Sequence, residues 1–353
     1  MAVRRAARLG LMPRAGTAAA GRAPPAEPAL IAQVFAALAD GRFHSGESLA
    51  RTLGVSRSAI WKVVAALRTL GSELHAVRNR GYRLVHGSEP LDPAKIRERL
   101  ARGVRERVAR IDAVWSIEST NSALLARPNP ATGDSEVLLA EYQTAGRGRR
   151  GRAWLAPPGG ALCLSMSWTF REVPQDLGSL GLVIGVCALR ALRAQGIEVA
   201  TLKWPNDLLI AERKLGGVLI DLRAESSGPA AVVIGIGLNL ALGATMLRQI
   251  AASGTAAVDL ASAIGTLPAR NDLAAALVSS CLEGLLAFER LGLKPFIEDW
   301  RAADALRGRS VSVTAAPGVV RGVARGIDLR GALMVETPQG IRRFISGDVT
   351  VRL

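Results

Sequence analysis

One stretch constrains this chain more than any other. Gln143-Thr-Ala-Gly-Arg-Gly-Arg-Arg-Gly-Arg-Ala-Trp154 packs four arginines and three glycines directly behind the strand-like run Val137-Leu-Leu-Ala-Glu-Tyr142. Glycine lets a backbone approach a ligand closely. Arginine presents a planar fork to phosphate or carboxylate oxygens. The fold must therefore hold a strand that delivers an anion-binding loop. An unfilled loop of this charge is expected to repel itself and stay mobile, ordering when its ligand arrives. Gly146, Gly148 and Gly151 also satisfy G-x-G-x-x-G. A dinucleotide site needs a helix directly after that turn. Here Pro157-Pro158-Gly159-Gly160 and a second strand-like run, Ala161–Trp168, follow instead. That fingerprint is rejected. A solvated basic loop would explain the charge, but not the regular glycines or the flanking Gln143 and Trp154.

The three histidines, His44, His75 and His86, all lie in the first quarter of the chain. Chemistry in the main body must proceed without imidazole, which removes Ser–His and Cys–His nucleophile schemes. Cys163, Cys187 and Cys281 are widely spaced, so they read as core residues in a reducing, cytoplasmic setting. A length of 353 residues suggests two or three domains, and a formal charge of +15 favours nucleic acid, nucleotides or other anionic partners. No apolar run reads as long enough to span a bilayer, and no membrane partner is expected. Residues 1–28 are rich in Ala, Arg, Gly and Pro with the single acid Glu27. They read as a disordered tail or an overextended start, in preference to an organellar transit peptide.

Residues 29–87 read as a winged helix-turn-helix. Ala29–Leu38 is apolar-periodic. Ser45 caps a helix over Gly46–Leu53, and Ser56 caps a third through Leu70, with Ile60, Val63, Val64 and Leu67 facing inward. Strands near Leu74–Val77 and Tyr82–Val85 flank the basic turn Arg78-Asn79-Arg80-Gly81. This geometry offers Arg57, Ser58, Trp61 and Lys62 to a major groove, with Arg78, Arg80 and Arg83 on the wing for phosphates or a minor groove. A small helical bundle with a basic face is the plain alternative, and the basic hairpin weighs against it.

Residues 88–306 form the main body. A linker-like stretch over 87–95 leads to a helix at Lys95–Ala101. Strands are expected at 111–117, 137–142, 161–169, 200–203, 207–210, 215–223 and 231–238, and helices at 120–126, 176–195, 270–290 and 293–303. Consecutive strands favour an α+β fold with a mixed sheet over a doubly wound one. Four clusters carry chemistry. Ser119-Thr120-Asn121 either receives a polar ligand or caps the next helix, capping being the commoner role. Lys203-Trp-Pro-Asn-Asp207 places a cation, an amide and a carboxylate within five residues. Lys214, ahead of Gly216-Gly217 in an apolar strand, needs an anionic partner. Gly235-Ile-Gly237-Leu-Asn239 ends another strand, with Asn239 expected at the rim. Arginines, lysines and amides without a base suit a substrate that brings its own nucleophile. A carboxylate attacking the α-phosphate of ATP needs only positioning and charge neutralisation.

These motifs resemble the biotin protein ligases of the bifunctional kind, which are also biotin operon repressors, over about residues 29–353. The arginine–glycine loop, Lys-Trp-Pro-Asn-Asp, the Arg-Lys-Leu run and Gly-Ile-Gly-x-Asn carry the resemblance. Lipoate ligases share the sheet architecture but not this loop. The resemblance implies a catalytic domain of the biotin/lipoate-ligase kind and an SH3-like β-barrel at 307–353, with strands at Ser310–Thr314, Gly318–Ile327, Ala332–Thr337 and Ile341–Ser346. It implies that Ser119, Thr120, Asn121, Gln143, Gly146, Arg147, Gly148, Arg149, Lys214 and Gly217 bind biotin. Arg149, Arg152, Trp154, Asn206 and Asn239 would bind the nucleotide. Lys214, Arg149, Asp207 and Lys203 would serve adenylation, Asp207 with magnesium. Arg321, Arg325 and Arg330 would assist ATP or carrier binding. The implied partners are the biotin carboxyl carrier protein, operator DNA and a second copy of the chain when biotinyl-5′-AMP is bound. A monofunctional ligase with a non-regulatory helical domain, and a biotin sensor without catalysis, stand as alternatives. The intact phosphate-handling set weighs against the sensor.

Overall fold

The computed structural model describes residues 28–223, 230–315 and 318–351. The expected N-terminal tail lies outside them, apart from Pro28, as does Pro317 of the expected turn.

The N-terminal unit contains α1 (Pro28–Leu38), α2 (Gly46–Leu53), α3 (Arg57–Thr69) and the hairpin β1 (Leu74–Val77) and β2 (Gly81–Leu84). Ser45 and Ser56 cap α2 and α3 by accepting from Ser48 N and Ala59 N. Gly54 ends α2 at φ 65°, a left-handed turn that favours glycine. Ile60, Val63, Val64 and Leu67 are buried against Val34, Phe35 and Leu38.

The chain continues through α4 (Pro93–Arg99), α5 (Arg102–Arg105), β3 (Val108–Ile117), α6 (Thr120–Leu125), β4 (Ser135–Gln143) and β5 (Ala161–Thr169). Then come α7 (Leu180–Ala194), β6 (Thr201–Lys203), β7 (Asp207–Ile210), β8 (Arg213–Arg223) and β9 (Ala231–Asn239). Helices α8 (Gly243–Ala252), α9 (Leu260–Ile264), α10 (Arg270–Leu291) and α11 (Ile297–Ala302) complete this unit. The first helix starts two residues before the expected Lys95, because Asp92 accepts from Ala94 N and Lys95 N and Pro93 sits at the first turn. The sheet is mixed, as expected. Its order is β3-β4-β5-β9-β8-β7-β6, with β3 and β4 parallel and the remaining neighbours antiparallel.

Strand β4 explains its apolar run. Val137 and Leu139 face the main core with α7 and α10, while Leu138 packs on the other face with Leu124 of α6 and Val233. Contrary to the sequence expectation, Leu177–Ala194 and Arg270–Leu291 are long and apolar enough to cross a membrane by length and composition. Within the protein, 67% and 61% of those segments are buried. They are apolar because they pack on each other and on the sheet.

The C-terminal unit holds β10 (Ser310–Ala315), β11 (Gly318–Ile327), β12 (Leu333–Thr337), β13 (Gly340–Phe344) and β14 (Asp348–Val351). They pair antiparallel in the order β13-β12-β11-β10-β14. Among the described residues this is an open five-stranded sheet whose edges, β13 and β14, do not pair with each other, in place of the expected closed barrel. The strand β14 was not foreseen.

The units are joined by specific contacts. Phe35 packs at 5.3 Å from Trp115 of β3. Glu73 accepts from Ala244 N at the start of α8. Arg270 and Glu141 form a buried ion pair at 2.7 Å, the two side chains only 5% and 8% exposed. Arg270 also donates to Glu89 O and Ala161 O, and Glu141 accepts from Leu91 N. The linker, β4, β5 and α10 are thereby pinned at one point.

Candidate active site

The arginine loop is an ordered hairpin. It leaves β4 at Gln143 and returns through Gly148 N–H to Arg152 O at 2.7 Å and Trp154 N–H to Gly146 O at 2.8 Å. Its turn is tight, with Arg150 at φ 55° and Gly151 at φ 72°. The expected self-repulsion is offset by partners. Arg149 donates to Asn206 Oδ1 at 3.2 Å, and Arg147 lies 3.8 Å from Asp221. Arg150 and Arg152 both reach Asp348 Oδ2 of β14, at 2.5 and 2.8 Å.

The loop covers a cavity of about 680 Å³. Ser119, Thr120, Asn121, Gln143, Arg147, Gly148, Arg149, Arg152, Trp154, Lys203, Asn206, Asp207, Lys214, Gly217 and Asn239 all line it. Gly146 sits behind the wall. A Cβ there would come within 2.7 Å of Trp154 O and 3.0 Å of Gln143 Nε2, so the loop can leave β4 only through a glycine.

One end of the cavity is lined by hydrogen-bonding side chains, with Arg147 beside them. Ser119 caps α6, accepting from Ser122 N, so capping and cavity lining coexist in this residue. Gln143 Oε1 accepts from Thr120 N at 2.8 Å and lies 3.1 Å from Thr120 Oγ1. Asn121 donates to Asp221 Oδ2 at 2.9 Å.

The other end is cationic. Lys203 and Asp207 face each other across the hairpin of β6 and β7. Trp204 anchors that hairpin, donating from Nε1 to Gly331 O of the C-terminal unit at 3.1 Å. Asn206 donates to Val218 O at 2.7 Å. Lys214 Nζ donates to Asp207 Oδ1 at 2.6 Å. A Cβ on Gly217 would lie 3.3 Å from that ammonium and 3.4 Å from that carboxylate, which explains the glycine. Burial lowers the proton affinity of both Lys203 and Arg149 below the ordinary values. An anion entering here would meet partly dehydrated cations.

Two motif glycines have distinct reasons. A side chain on Gly235 would strike the Asn121 amide, and one on Gly237 would lie 2.6 Å from the Trp154 indole. Asn239 does not sit at the rim. It is 3% exposed, and its amide donates to Lys214 O and Val258 O. It ties β8 to the segment after α8, so its first duty is structural.

Sequence reasoning missed Asp348, Ser165, Asp221 and Cys163. Cys163 lines the cavity, but burial pushes its thiol up to about 11, which excludes thiolate chemistry near neutrality. Asp221 carried a signal, being a lone acid in the apolar run Val218–Leu222. Asp348 carried none.

In the N-terminal unit, Arg57, Ser58, Trp61 and Lys62 share the exposed side of α3, and Trp61 is 62% exposed. Arg78 and Arg80 are exposed on the wing, Arg80 stacking on Phe43 at 4.3 Å. Arg83 is half-buried, 5.2 Å from the same ring and bonded to His75, so it supports the wing.

Comparison with known proteins agrees with this geometry. Residues 114–239 match the biotin/lipoate A/B protein ligase family, 32–83 a helix-turn-helix domain, and 307–352 the biotin protein ligase C-terminal domain. The chain is 37% identical to a bifunctional ligase/repressor of Salmonella typhimurium, covering 89% of this chain and 95% of that one. It is 35% identical to a biotin–[acetyl-CoA-carboxylase] ligase of Mycobacterium tuberculosis, covering 74% and 95%. Among solved structures, it is similar to the Aquifex aeolicus biotin protein ligase in complex with biotin and ATP. There the TM-score is 0.57 at 26% identity, over 69% of this chain and 99% of that one.

Proposed function

Because the chain belongs to the biotin protein ligase family, in the branch of the bifunctional ligase/repressors, we propose that it joins biotin to a carrier protein through an adenylate. The observation that carries this is the polarity of one cavity. Uncharged Thr120, Asn121 and Gln143 form one hydrogen-bonding cluster of its lining, beside Arg147, and cationic Lys203, Lys214 and Arg149 gather around Asn206 and Asp207. A substrate with a polar uncharged ring and a carboxylate tail, meeting a nucleotide triphosphate, matches that gradient.

A biotin carboxylate oxygen attacks the α-phosphorus of ATP, the bond to the β-phosphate oxygen breaks, and pyrophosphate leaves. No general base is needed. Lys214, released from Asp207, neutralises charge at the carboxylate and α-phosphate, while Lys203 and Arg149 serve the phosphates. Arg152, Trp154 and Asn206 serve the nucleotide. The carrier lysine, as free amine, then attacks the acyl carbon of biotinyl-5′-AMP. AMP leaves and the surplus amine proton passes to water. The closed arginine loop keeps water from the mixed anhydride until then.

Magnesium enters with ATP. Among the described residues no group of three His, Cys, Asp or Glu side chains could cage a metal. Asp207 would hold that cation beside the phosphates, where it would offset their charge. The helix-turn-helix supports operator binding through Arg57, Ser58, Trp61 and Lys62, with Arg78 and Arg80 on the wing. Biotinyl-5′-AMP would favour a dimer that binds the operator, by preferring one state of the chain. A cytoplasmic setting suits all three partners.

The test follows transfer of biotin to a purified carrier domain, with a mobility shift on DNA upstream of biotin-synthesis genes in the same preparation. Transfer and a shift that requires biotin and ATP support both activities. Transfer without any shift contradicts the repressor role.

A further inference from the structure

We infer that Asp221 is a positioning residue for substrate recognition, setting the orientation of the Asn121 amide and tethering Arg147 from behind the cavity wall. This rests on biotin as the occupant of that wall.

Asn121 is 3% exposed, and its two amide ends meet different partners. Nδ2 donates to Asp221 Oδ2 at 2.9 Å, and Oδ1 lies 2.5 Å from Ser165 Oγ. A carboxamide between two hydroxyls could turn over and exchange its donor for its acceptor. Here it cannot. A carboxylate only accepts, so the amino group must face Asp221. The carbonyl then faces Ser165, whose hydroxyl must donate to it. Ser165 Oγ also lies 2.7 Å from Thr120 Oγ1, whose own hydroxyl donates to Gln143 Oε1 at 3.1 Å. The Asp221 carboxylate thus fixes the direction of the hydrogen bonds from Asp221 through Asn121 to Ser165. Ser165 is fully buried, so water cannot scramble this order.

The same Asp221 oxygen lies 3.8 Å from Arg147 Nη2 in the arginine loop. One carboxylate therefore touches both the fixed wall and the loop that covers it. Neither Asp221 nor Ser165 lines the cavity; both act through residues that do.

Asp221→Ala, Asp221→Asn and Ser165→Ala are compared with the wild type in biotin-dependent pyrophosphate release with carrier protein present, after their thermal midpoints have been measured. Asp221→Ala leaves a buried amide donor without its partner, and the KM for biotin rises about tenfold. The KM for ATP and kcat stay within about twofold, because the cationic end is untouched. Asp221→Asn keeps an acceptor oxygen for Asn121 but loses the charge that faces Arg147, and recovers part of the loss. Ser165→Ala removes the opposite clamp and raises the KM for biotin alone. An unchanged biotin KM in Asp221→Ala, a parallel rise for biotin and ATP, or an Asn variant as weak as the Ala variant overturns the proposal. Absence of biotin-dependent pyrophosphate release in the wild type overturns the ligase reading instead, so the two failures are distinct.

Discussion

Lys214 Nζ and Asp207 Oδ1 lie 2.6 Å apart across β8 and β7, with Gly217 leaving the space they share. The ammonium is held ready beside a carboxylate that a phosphate can replace. Lys214→Ala is expected to slow pyrophosphate release by about 100-fold or more, the scale of losing one preorganised charge. Its unfolding free energy should fall by about 1–3 kcal/mol, since the pair is only a quarter exposed and Asp207 loses its partner. Rapid-quench assay and chemical denaturation check the two halves separately.

Arg149 reaches Asn206, and Arg150 and Arg152 reach Asp348 from the C-terminal unit. Arg149→Gly should release the adenylate about tenfold faster, as one charge-assisted contact is lost. A chase of labelled intermediate with unlabelled biotin reads this directly. An unchanged dissociation rate contradicts the role given to Arg149.

Asp348→Ala should leave global stability within about 1 kcal/mol, because both arginines are exposed and Asp348 is itself about a third exposed. It should also make the unliganded loop more open to trypsin at Arg150 and Arg152. Limited proteolysis with and without biotin and ATP tests this. Equal cleavage rates in variant and wild type would show that the C-terminal unit does not hold the loop.

Asp304 gives a pH dependence. It is largely buried at the junction with the C-terminal unit, its Oδ2 has no partner, and burial raises its pKa from 3.8 to about 6. Between those values the unfolded chain has lost the proton and the folded chain keeps it. Stability therefore falls as pH rises through this window and stays lowered above it. Asp304→Asn removes the penalty, so it should stabilise by about 3 kcal/mol at most above pH ~7, with no gain near pH ~4. Denaturation at both pH values decides it.

The buried Glu141–Arg270 pair should show strong coupling. Arg270→Met or Glu141→Gln alone should cost about 3–5 kcal/mol, because each leaves a buried charge or its hydrogen bonds unmet. The double variant should cost less than the sum. Additive costs in a double-mutant cycle would show that the two do not act as one pin.

The positions of the main strands along the chain were legible because β4, β5, β8 and β9 are long apolar runs separated by glycine, proline or loop signals, whereas their order in the sheet was not. The caps Ser45 and Ser56 were legible because capping is local. Helix α8 was not. It is only ten residues long, and of its apolar side Met246 alone is buried, Leu247 and Ile250 being partly so. Its first N–H groups are also met from afar, by Asp259 and by Glu73 of the N-terminal unit. The site followed the same division. Residues in dense motifs could be named in advance as candidates, and the structure brings them to one cavity. Asp348 sits some 200 positions from the arginines it holds, and nothing in its own neighbourhood points to them. Asn239 was misplaced at the rim because a strand-end amide looks the same in sequence whether it meets ligand or ties two segments together.

The most direct test of the account is pyrophosphate release from ATP by the purified full-length chain, with and without biotin. The account predicts release that requires biotin, that is lost in Lys214→Ala, and that stops after about one turnover until carrier protein is added, because the adenylate is retained. Release independent of biotin, or none with biotin present, would contradict it.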